Sequence, residues 1–308
     1  MDRVTTLTLN PAIDGSCETE KVVPTHKVRT STEVYHPGGG GINVARVLAR
    51  LGERVEVIYC AGGATGALLD ELLVEHGLDR HRVPITDHTR MSLAVYERSS
   101  GKEFRFVPEG PLLSDAEWRA ALDETVKAGS PWVVASGSLP RGVPEDFYAR
   151  LAAGLGPDRK LVLDTSGAAL KAALAAGGLH LVKPSQGEFE AFVGRRLHGW
   201  REIGAAALEL VRAGKADHIA VTLGHHGAVL AHSGGVERLD ALDVVVRSAT
   251  GAGDSFVAGM VHGFLRGEGP GGAFRWGMAA GTAAVLSPGT DLCHPPDVQA
   301  MWERLAPG

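Results

Sequence analysis

Cysteines are few in this sequence, and long apolar runs and an excess of basic residues are absent. The three cysteines, Cys17, Cys60 and Cys293, are too few and too scattered for a disulfide framework or a metal cluster, and they fit a reducing compartment. No apolar run reaches the roughly 18 residues that a membrane-spanning helix requires. Residues 1–7 lack a basic segment followed by an apolar one, so we expect no signal peptide and a cytoplasmic protein.

The charge balance is slightly acidic. Lysine and arginine number 31 against 36 acidic residues, a formal net charge of −5. No basic excess exists to drive counterion release, which argues against a nucleic-acid or anionic-membrane partner. Hydrophobic residues at 44% and charged residues at 22% are ordinary values for a globular protein. We expect residues 1–308 to form a single α/β domain with a small appendage.

Strand and helix patterns alternate along most of the chain. Val4–Leu9 alternates threonine with aliphatic residues and ends at Asn10-Pro11, as a strand entering a loop does. Further strands are predicted at 54–60, 132–135, 161–164, 179–182, 218–223 and 228–232, and helices at 42–51, 66–76, 114–128, 144–154, 167–176, 185–193, 201–213, 252–266, 271–286 and 295–305. Repeated strand–helix units predict a mainly parallel sheet with helices on both faces, which binds ligands at the carboxyl ends of its strands.

Two stretches break this alternation. Residues 14–36 are β-branched and polar without helical periodicity, which favours short strands. Residues 90–96 and 103–107 flank Ser99-Ser100-Gly101-Lys102, a hairpin signature. Together the two stretches predict a small separate β-sheet, formed by about 14–36 and 89–108.

A small-residue turn near the C-terminus carries the main chemical signal. The β-branched run Val244-Val245-Val246 predicts the end of a strand, and a mostly apolar helix follows the turn. Such a turn presents free backbone N–H groups and the positive end of a helix dipole, which suit an anion. Asp254 lies inside the turn and suits a general base for phosphoryl transfer. The alternative is that Asp254 only caps the helix, since aspartate is a favoured N-cap residue.

Four consecutive glycines precede another predicted helix. Pro37-Gly38-Gly39-Gly40-Gly41-Ile42-Asn43 lacks the Lys-Ser/Thr pair of a Walker phosphate loop and matches a dinucleotide fingerprint poorly, which disfavours a nucleotide-dependent dehydrogenase. Glycines let a ligand approach the backbone, and Asn43 offers a donor and an acceptor to sugar hydroxyls. The alternative is a flexible loop before a helix.

Charged residues near the predicted small sheet give a weaker signal. Asp14 follows a strand, where it can accept hydrogen bonds from sugar hydroxyls, although lone acids after strands are usually solvated. Lys27, Arg90 and Arg105 lie within the small sheet, and guanidinium groups suit phosphate. Basic residues on exposed strands more often protect a sheet edge, so both interpretations stay open.

Two further turns each admit two interpretations. Lys183-Pro184-Ser185-Gln186-Gly187-Glu188 follows a predicted strand, and Glu188 can hold Mg²⁺ through waters. Ser185 with Glu188 is equally a capping box by its spacing. Thr222-Leu223-Gly224-His225-His226-Gly227 joins two predicted strands, either as a simple hairpin or, as we favour, as a turn that also contacts a nucleotide. Its adjacent histidines have no third ligand at a suitable spacing for a metal.

Taken together, these residues resemble the ribokinase-like (PfkB) family of carbohydrate kinases. GGGGINVARVLARLG at 38–52 and ATGAGDSFVAGM at 249–260 match the two family signatures. Shorter matches extend along essentially the whole chain: TLTLNPAID (6–14), AGGATG (61–66), RFV (105–107), SGSLP (136–140), VKP (182–184), AAG (279–281) and GT (289–290). The matches are most similar to the minor bacterial 6-phosphofructokinases, in a subgroup with 1-phosphofructokinases and tagatose-6-phosphate kinases.

The resemblance implies roles for the residues of the phosphoryl-transfer centre. Asp254 would take a proton from the sugar hydroxyl, and the amides of Gly251, Ala252 and Gly253 would form the anion hole. Lys183 and Ser185 would lie near the phosphates of ATP, with Glu188 organising Mg²⁺ through water. The further implied nucleotide contacts are Thr222, Gly224, Gly227 and Thr250. Some members need a monovalent cation such as K⁺, for which the matching positions are Ser248, Thr250, Ser287 and Gly289.

It also implies a sugar site and an assembly. The residues that would hold the sugar hydroxyls are Asp14, Gly39, Gly40 and Asn43, with Ser138 nearby. Lys27, Arg90 and Arg105 would receive the phosphate of the substrate. The strands of 14–36 and 89–108 would form the β lid of the family, which in this subgroup is also the interface of a homodimer.

The expected activity is the ATP- and Mg²⁺-dependent phosphorylation of a ketohexose phosphate, with fructose 6-phosphate as the first candidate. Fructose 1-phosphate and tagatose 6-phosphate are the alternatives within this class. A catalytically silent sugar-phosphate sensor is the alternative of another class, and the retained Asp254 argues against it. One departure is Ser185, where the family usually has asparagine, which implies weaker binding of ATP.

Overall fold

The computed structural model describes residues 3–305 and contains two sheets. In chain order the strands are β1 (Val4–Thr8), β2 (Ala12–Thr19), β3 (Ser31–Gly38), β4 (Val55–Gly62), β5 (Asp79–Ile85), β6 (Arg90–Glu97), β7 (Lys102–Phe106), β8 (Trp132–Ser136), β9 (Lys160–Asp164), β10 (Leu179–Val182), β11 (Ala216–Thr222), β12 (Ala228–His232) and β13 (Gly235–Leu239). The helices are α1 (Gly40–Arg50), α2 (Gly63–Glu75), α3 (Asp115–Lys127), α4 (Phe147–Leu155), α5 (Gly167–Ala176), α6 (Gln186–Val193), α7 (Gly199–Arg212), α8 (Ala252–Leu265), α9 (Pro270–Ala284) and α10 (Pro295–Arg304).

The larger sheet has nine strands in the order β13-β12-β11-β10-β9-β8-β1-β4-β5. Its seven strands from β11 to β5 run parallel, while β12 and β13 add an antiparallel edge. Strand β1 is the third from the β5 edge, with Val4 opposite Val55 on one side and Trp132 on the other. Every residue of β1 and β8 is buried, as expected for parallel strands covered on both faces.

Helices cover both faces of this sheet. The core on one face includes Trp118, Phe147 and Phe189, from α3, α4 and α6. The core on the other face includes Val44 of α1 and Phe274 of α9, together with residues of α8 and α10. The predicted fold class, a mainly parallel sheet between two helical layers with a small additional β-sheet, is therefore confirmed.

The small sheet has the order β3-β2-β6-β7. Strands β6 and β7 form the predicted hairpin, and β2 pairs parallel to β6 and antiparallel to β3. In this register Asp14 lies opposite His36 on one side and Ser92 on the other. The small sheet therefore begins next to the glycine-rich start of α1, because β3 ends at Gly38.

The sequence missed two strands and misplaced one. The predicted strand end at Val244–Val246 is wrong, because residues 240–247 contain no strand and Val245 is 83% exposed. The true edge strand is β13, which pairs with β12. The strand at the opposite edge of the sheet, β5, was also missed, because its charged residues and Pro84 are typical of an edge strand and hide the strand pattern.

The described helices include none that is both long and apolar enough to cross a membrane. The longest, α9, has 15 residues. The ends of the predicted domain range, residues 1–2 and 306–308, lie outside the described residues.

Candidate active site

Asp254 lies where the carboxyl end of the large sheet meets two helix N-termini. Its Oδ2 accepts a hydrogen bond from Nδ2 of Asn43 at 3.0 Å, and its Oδ1 accepts a longer one from Oγ of Ser136 at 3.4 Å. Asn43 comes from the first turn of α1, and Ser136 is the last residue of β8. The two sequence signatures, more than 200 residues apart, thus contact each other through Asn43 and Asp254.

The turn before α8 has the geometry of an anion site. Gly251 is the N-cap residue, in the left-handed region with φ 72°, and no side chain within the described chain caps this helix. The alternative that Asp254 only caps the helix is therefore wrong. A Cβ on Gly251 would lie 2.3 Å from Cδ2 of Leu292, so the position requires glycine for space as well as conformation. The amide of Ala252 makes only a long hydrogen bond, to the carbonyl of Ala249 at 3.4 Å, and the first amides of an α-helix have no intrahelical partner.

Lys183 places a positive charge beside this turn. Its Nζ lies 3.2 Å from Oδ1 of Asp164, and its side chain is 7% exposed. A Cβ built on Gly253 would be 3.4 Å from the same Nζ, so the ammonium group borders the first turn of α8. Burial alone would lower the pKa of Lys183, but the carboxylates of Asp164, Asp254 and Glu188 raise it above its ordinary value. The side chain therefore stays a cation.

The same surroundings tune the carboxyl group of Asp254. Burial, and after it the neighbouring Asp164, raise the pKa of Asp254 to about 7 against the opposing effects of Asn43, Lys183 and Ser136. A carboxylate with a pKa near neutrality can both accept and release a proton under physiological conditions. Raised pKa values of this kind are typical of functional sites.

The capping interpretation of Ser185 and Glu188 is confirmed. Oγ of Ser185 accepts a hydrogen bond from the amide of Glu188 at 3.4 Å, and Oε2 of Glu188 accepts from the amide and hydroxyl of Ser185, both at 2.8 Å. These contacts define a capping box at the start of α6. They use only one of the two carboxylate oxygens, so the predicted contact of Glu188 with hydrated Mg²⁺ stays compatible with the box.

The glycine-rich segment is held closely by its neighbours. Gly38 belongs to β3 and Gly40 to α1, so the alternative of a flexible loop is wrong. A Cβ on Gly38 would lie 1.9 Å from Oδ2 of Asp14, and one on Gly40 would lie 2.2 Å from Oγ of Ser136. Gly39 between them has φ 104°. The backbone is therefore pressed against both side chains.

The predicted sugar contacts Asp14 and Ser138 are tied to neighbouring polar groups. Asp14 lies within β2, the strand that follows β1, and accepts a hydrogen bond from the hydroxyl of Ser92. Ser138 is exposed and accepts a hydrogen bond from Nδ2 of Asn10 at 3.1 Å. Asp14 lies against Gly38 of the glycine-rich segment, and Ser138 follows closely after Ser136. Both are on the same side of the molecule as Asp254.

The three residues predicted to bind the substrate phosphate lie apart from one another within a single chain. The guanidinium group of Arg90 donates to the carbonyl oxygens of Asn10 at 2.9 Å and Pro108 at 3.0 Å. Arg105 is exposed on β7, the edge strand of the small sheet. Lys27 is exposed in the loop between β2 and β3, at the other end of these strands from Asp14.

A cavity of about 550 Å³ adjoins the turn before α8. Three of its lining residues, Thr222, Gly224 and Gly227, are those predicted to contact a nucleotide. The other lining residues are His225, Ala241, Leu242, Asp243, Val244, Val246, Ala249, Ala252, Gly253, Phe256, Met278, Gly281, Thr282 and Val285. The run misread as a strand end thus forms part of the cavity wall. The size and the mostly apolar lining suit a nucleoside.

The predicted monovalent-cation positions include buried oxygen atoms. Ser248, Thr250 and Ser287 are all buried, and Oγ1 of Thr250 has no hydrogen-bond partner among residues 3–305. Oγ of Ser248 accepts from the amide of Thr250 at 3.1 Å, and Oγ of Ser287 donates to the carbonyl of Leu292 at 3.2 Å. Gly289 instead lies against Ser16 of β2. An orphaned buried oxygen beside the anion turn fits a bound K⁺.

Several residues of the site were missed by sequence reasoning. Asp164 ends β9 and pairs with Lys183, while Ser136 contacts Asp254 and Asn10 contacts Ser138. Each of them lies in a segment that the sequence had identified. Asn10 and Ser136 belong to matched motifs, and Asp164 ends a predicted strand. A polar residue at the carboxyl end of a parallel strand was the available signal.

One group of possible metal ligands lies elsewhere. His180, Asp217 and His218 have ligand atoms within 4.8 Å of one another, near the starts of β10 and β11 and hence at the opposite edge of the sheet. Nδ1 of His180 contacts Oδ2 of Asp217 at 2.8 Å, and Nδ1 of His218 contacts the carbonyl of His180 at 3.0 Å. Both Nδ1 atoms are therefore already hydrogen-bonded within the protein. The group also lies at the opposite end of the strands from Asp254.

Comparison with known proteins places these features in a family. The sequence profile of the pfkB family carbohydrate kinases matches residues 8–297. The chain is 41% identical over 307 residues to the ATP-dependent 6-phosphofructokinase isozyme 2 of Mycobacterium tuberculosis, covering 99% of this chain and 90% of the relative. It is 32% identical over 310 residues to the 1-phosphofructokinase of Escherichia coli, covering 98% of this chain and 97% of the relative.

Solved structures of phosphofructokinase-2 from Escherichia coli have the same fold. The form with potassium superposes with a TM-score of 0.95 and the form with fructose-6-phosphate with 0.93, each at 38% identity and 99% coverage of both chains. A tetrameric inhibited form of that enzyme gives a TM-score of 0.93, also at 38% identity and 99% coverage of both chains.

Proposed function

The chain belongs to the pfkB family of carbohydrate kinases, and from this premise we propose that it phosphorylates a ketohexose phosphate with ATP. The preferred reaction converts fructose 6-phosphate to fructose 1,6-bisphosphate. The observation that carries the proposal is the position of Asp254, held by Asn43 and Ser136 in the first turn of α8. The relative from Mycobacterium tuberculosis is named as a 6-phosphofructokinase, and the Escherichia coli structure holds fructose-6-phosphate.

Asp254 acts as the general base. Its carboxylate removes the proton from the acceptor hydroxyl as that oxygen attacks the γ-phosphorus atom of ATP. Asn43 and Ser136 hold the carboxylate in place from two sides, so that attack begins from an aligned arrangement. The pKa of about 7 makes Asp254 more basic than an ordinary aspartate.

The first turn of α8 and Lys183 stabilise the transferring group. The amides of Gly251, Ala252 and Gly253 provide donors and the positive end of the helix dipole. Lys183 adds a full positive charge next to Gly253. These groups are fixed before substrate binds, because Gly251 packs against Leu292 and Lys183 is paired with Asp164.

Mg²⁺ and K⁺ are the ions that the site would hold. Oε1 of Glu188 is the predicted contact to hydrated Mg²⁺, which when bound neutralises charge on the phosphates of ATP. The buried oxygens of Ser248, Thr250 and Ser287 suit a monovalent cation. Ser185 is committed to the capping box, which supports an indirect contact with the phosphates of ATP.

The substrate phosphate distinguishes the alternatives. Arg90 lies beside Asn10 and next to the sugar site, which favours a sugar already carrying a phosphate. Fructose 1-phosphate and tagatose 6-phosphate remain the alternatives, and the similarity to a 1-phosphofructokinase supports the first of them. A silent sensor is disfavoured, because it has no need of a base with a tuned pKa. We place the reaction in the cytoplasm, where ATP and sugar phosphates are available.

Steady-state release of ADP with ATP and Mg²⁺ tests the proposal. We expect the highest kcat/KM with fructose 6-phosphate among fructose 6-phosphate, fructose 1-phosphate, tagatose 6-phosphate and free fructose. Free fructose is the matched control, since it lacks only the phosphate. A preference for another sugar phosphate would change the assigned substrate but leave the proposed mechanism unchanged. Tight binding of sugar phosphates without turnover of any would favour the sensor.

The small sheet supports a homodimer. Across its four strands Tyr35, Gly15, Leu93 and Phe106 form one register row, and the three large side chains are exposed. A Cβ on Gly15 would lie 3.2 Å from both Leu93 and Tyr35, so these side chains converge over the glycine. An exposed apolar patch of this kind is typical of a protein interface. We propose that it pairs with its copy in a second chain.

Leu93→Asp is expected to convert the dimer into monomers at micromolar concentration, because the charge would be buried at the centre of the patch. Analytical ultracentrifugation measures the change in mass. Val74→Asp provides the control, since Val74 is an exposed apolar residue on α2, outside the small sheet. A Leu93→Asp variant that sediments like the wild type would place the interface elsewhere.

A further inference from the structure

One face of α1 carries three polar residues that connect separate parts of the site. Asn43, Arg46 and Arg50 are spaced so that they lie along one side of the helix. Asn43 contacts Asp254, and Arg50 contacts Asp291 at 2.9 Å and the carbonyl oxygens of Leu292 and Cys293. Arg46 lies between them and is only 2% exposed.

Arg46 is an expensive residue to bury. Its Nη1 donates to the carbonyl of Pro37 at 3.1 Å and to Oδ1 of Asn43 at 3.3 Å. Its Nε and Nη2 are buried and have no partner in the described part of the chain. Burial and the neighbouring Arg50 lower the pKa of Arg46 to about 10, which still leaves it charged at neutral pH. Packing alone does not account for a buried cation with two unpaired nitrogens.

The contact with Asn43 fixes the orientation of its amide. A guanidinium group can only donate hydrogen bonds, so it selects the oxygen of the Asn43 side chain. The Nδ2 group is then turned toward Asp254, which it reaches at 3.0 Å. With the amide reversed, two oxygens would face each other across this contact. Arg46 therefore determines which atom of Asn43 the base meets.

We infer that Arg46 is a positioning residue for the base: it holds the amide of Asn43 toward Asp254 and ties that arrangement to the end of β3. The second link follows from Pro37, the β3 residue whose carbonyl accepts from the same Nη1 atom. The inference rests on the proposed role of Asp254 and deepens it. It assigns to the buried polar face of α1 a part in catalysis without contact with substrate.

The charges around Asp254 give the direction of the expected pH effect. Asp164 from β9 opposes its ionisation, whereas Lys183 after β10 and the side chains of Asn43 and Ser136 favour it. The charge of Arg46 and that of Asp254 also stabilise each other. Loss of Arg46 removes a cation and frees the Asn43 amide, and both changes disfavour the carboxylate. The pKa of Asp254 should rise.

Arg46→Met and Arg46→Lys test this inference in pH profiles of kcat/KM with fructose 6-phosphate. For Arg46→Met we expect a fall of about 10- to 100-fold in kcat and a shift of the acidic limb by about one pH unit upward. Arg46→Lys keeps the positive charge, so its acidic limb should lie close to that of the wild type. Arg82→Gln is the control, because Arg82 is a part-buried arginine paired with Asp70, away from Asp254.

A double-mutant cycle separates positioning from general stability. If Arg46 acts through Asn43, Asn43→Ala combined with Arg46→Met should lose little more kcat than Asn43→Ala alone. Additive losses with an unmoved acidic limb would overturn the inference. Asp254→Asn is measured in parallel: full activity in that variant would instead refute the proposed base, whichever result Arg46 gives.

Discussion

Asp254→Asn is expected to lower kcat by about 10²- to 10⁴-fold, the range typical of a lost general base, with little change in KM. Asparagine has the same shape as aspartate, and it can still form hydrogen bonds with Asn43 and Ser136 after a small rearrangement. It cannot accept the proton of the sugar hydroxyl. Steady-state ADP release over a range of fructose 6-phosphate concentrations measures both constants.

Asp158→Asn is the matched control, since Asp158 is exposed in the loop before β9 and should leave both constants unchanged. A large rise in KM with an unchanged kcat in Asp254→Asn would mean that the carboxylate only binds sugar. Turnover equal to that of the wild type would exclude Asp254 as the base.

The pH dependence of the wild type follows from the same residue. Since the pKa of Asp254 is about 7, kcat/KM should rise with pH and level off above that value, because only the carboxylate is active. For stability the sign is opposite. A pKa raised from its ordinary 3.8 means that the protonated form stabilises the fold below about pH 4, and that this contribution is lost as the pH rises through 7.

Asp254→Asn therefore carries a second expected result. At pH 8 the variant should be at least as resistant to thermal unfolding as the wild type, because it lacks a carboxylate whose ionisation burial disfavours. A strongly lowered Tm would show that the carboxylate is needed for folding, and loss of activity would then say nothing about catalysis.

Lys183→Met is expected to destabilise the protein by about 3–5 kcal/mol and to abolish most activity. The methionine side chain fills the space but leaves Asp164 without the cation at 3.2 Å, and an unpaired buried charge is costly. Urea unfolding monitored by fluorescence gives the free energy of unfolding. Activity should fall separately, because the proposed anion hole at the start of α8 loses its neighbouring positive charge.

The double variant Lys183→Met with Asp164→Asn isolates the pair. Once both charges are removed, the carboxylate that was paired with Lys183 is gone, so the double variant should be more stable than Lys183→Met alone. It should still be inactive with ATP. If its stability equals the sum of the two single losses, the two side chains do not act as a pair.

The repeated strand–helix pattern correctly gave the main sheet and its two layers of helices, because buried parallel strands are continuously apolar and their helices are amphipathic. The hairpin at β6 and β7 was also visible from its turn residues. The pattern failed at the edges. Val244–Val246 looks like a strand because β-branched residues are enriched in strands, but Val245 is 83% exposed and Val244 and Val246 line the cavity.

The sequence alone determined the local chemistry of the site. A glycine turn that opens a helix, an aspartate within it and a second glycine-rich helix start can all be recognised from neighbouring residues, since each depends on backbone conformation within a few positions. The capping box of Ser185 and Glu188 is local in the same way.

Only the tertiary structure decided which of these groups meet. The contacts of Asp254 with Asn43 and Ser136, of Lys183 with Asp164, and of Arg46 with Pro37 depend on how β3, β8, β9, α1 and α8 pack. Such packing depends on burial, which no single segment specifies. Burial also sets the pKa of Asp254, so the sequence supplied the carboxylate and the fold gave it its basicity.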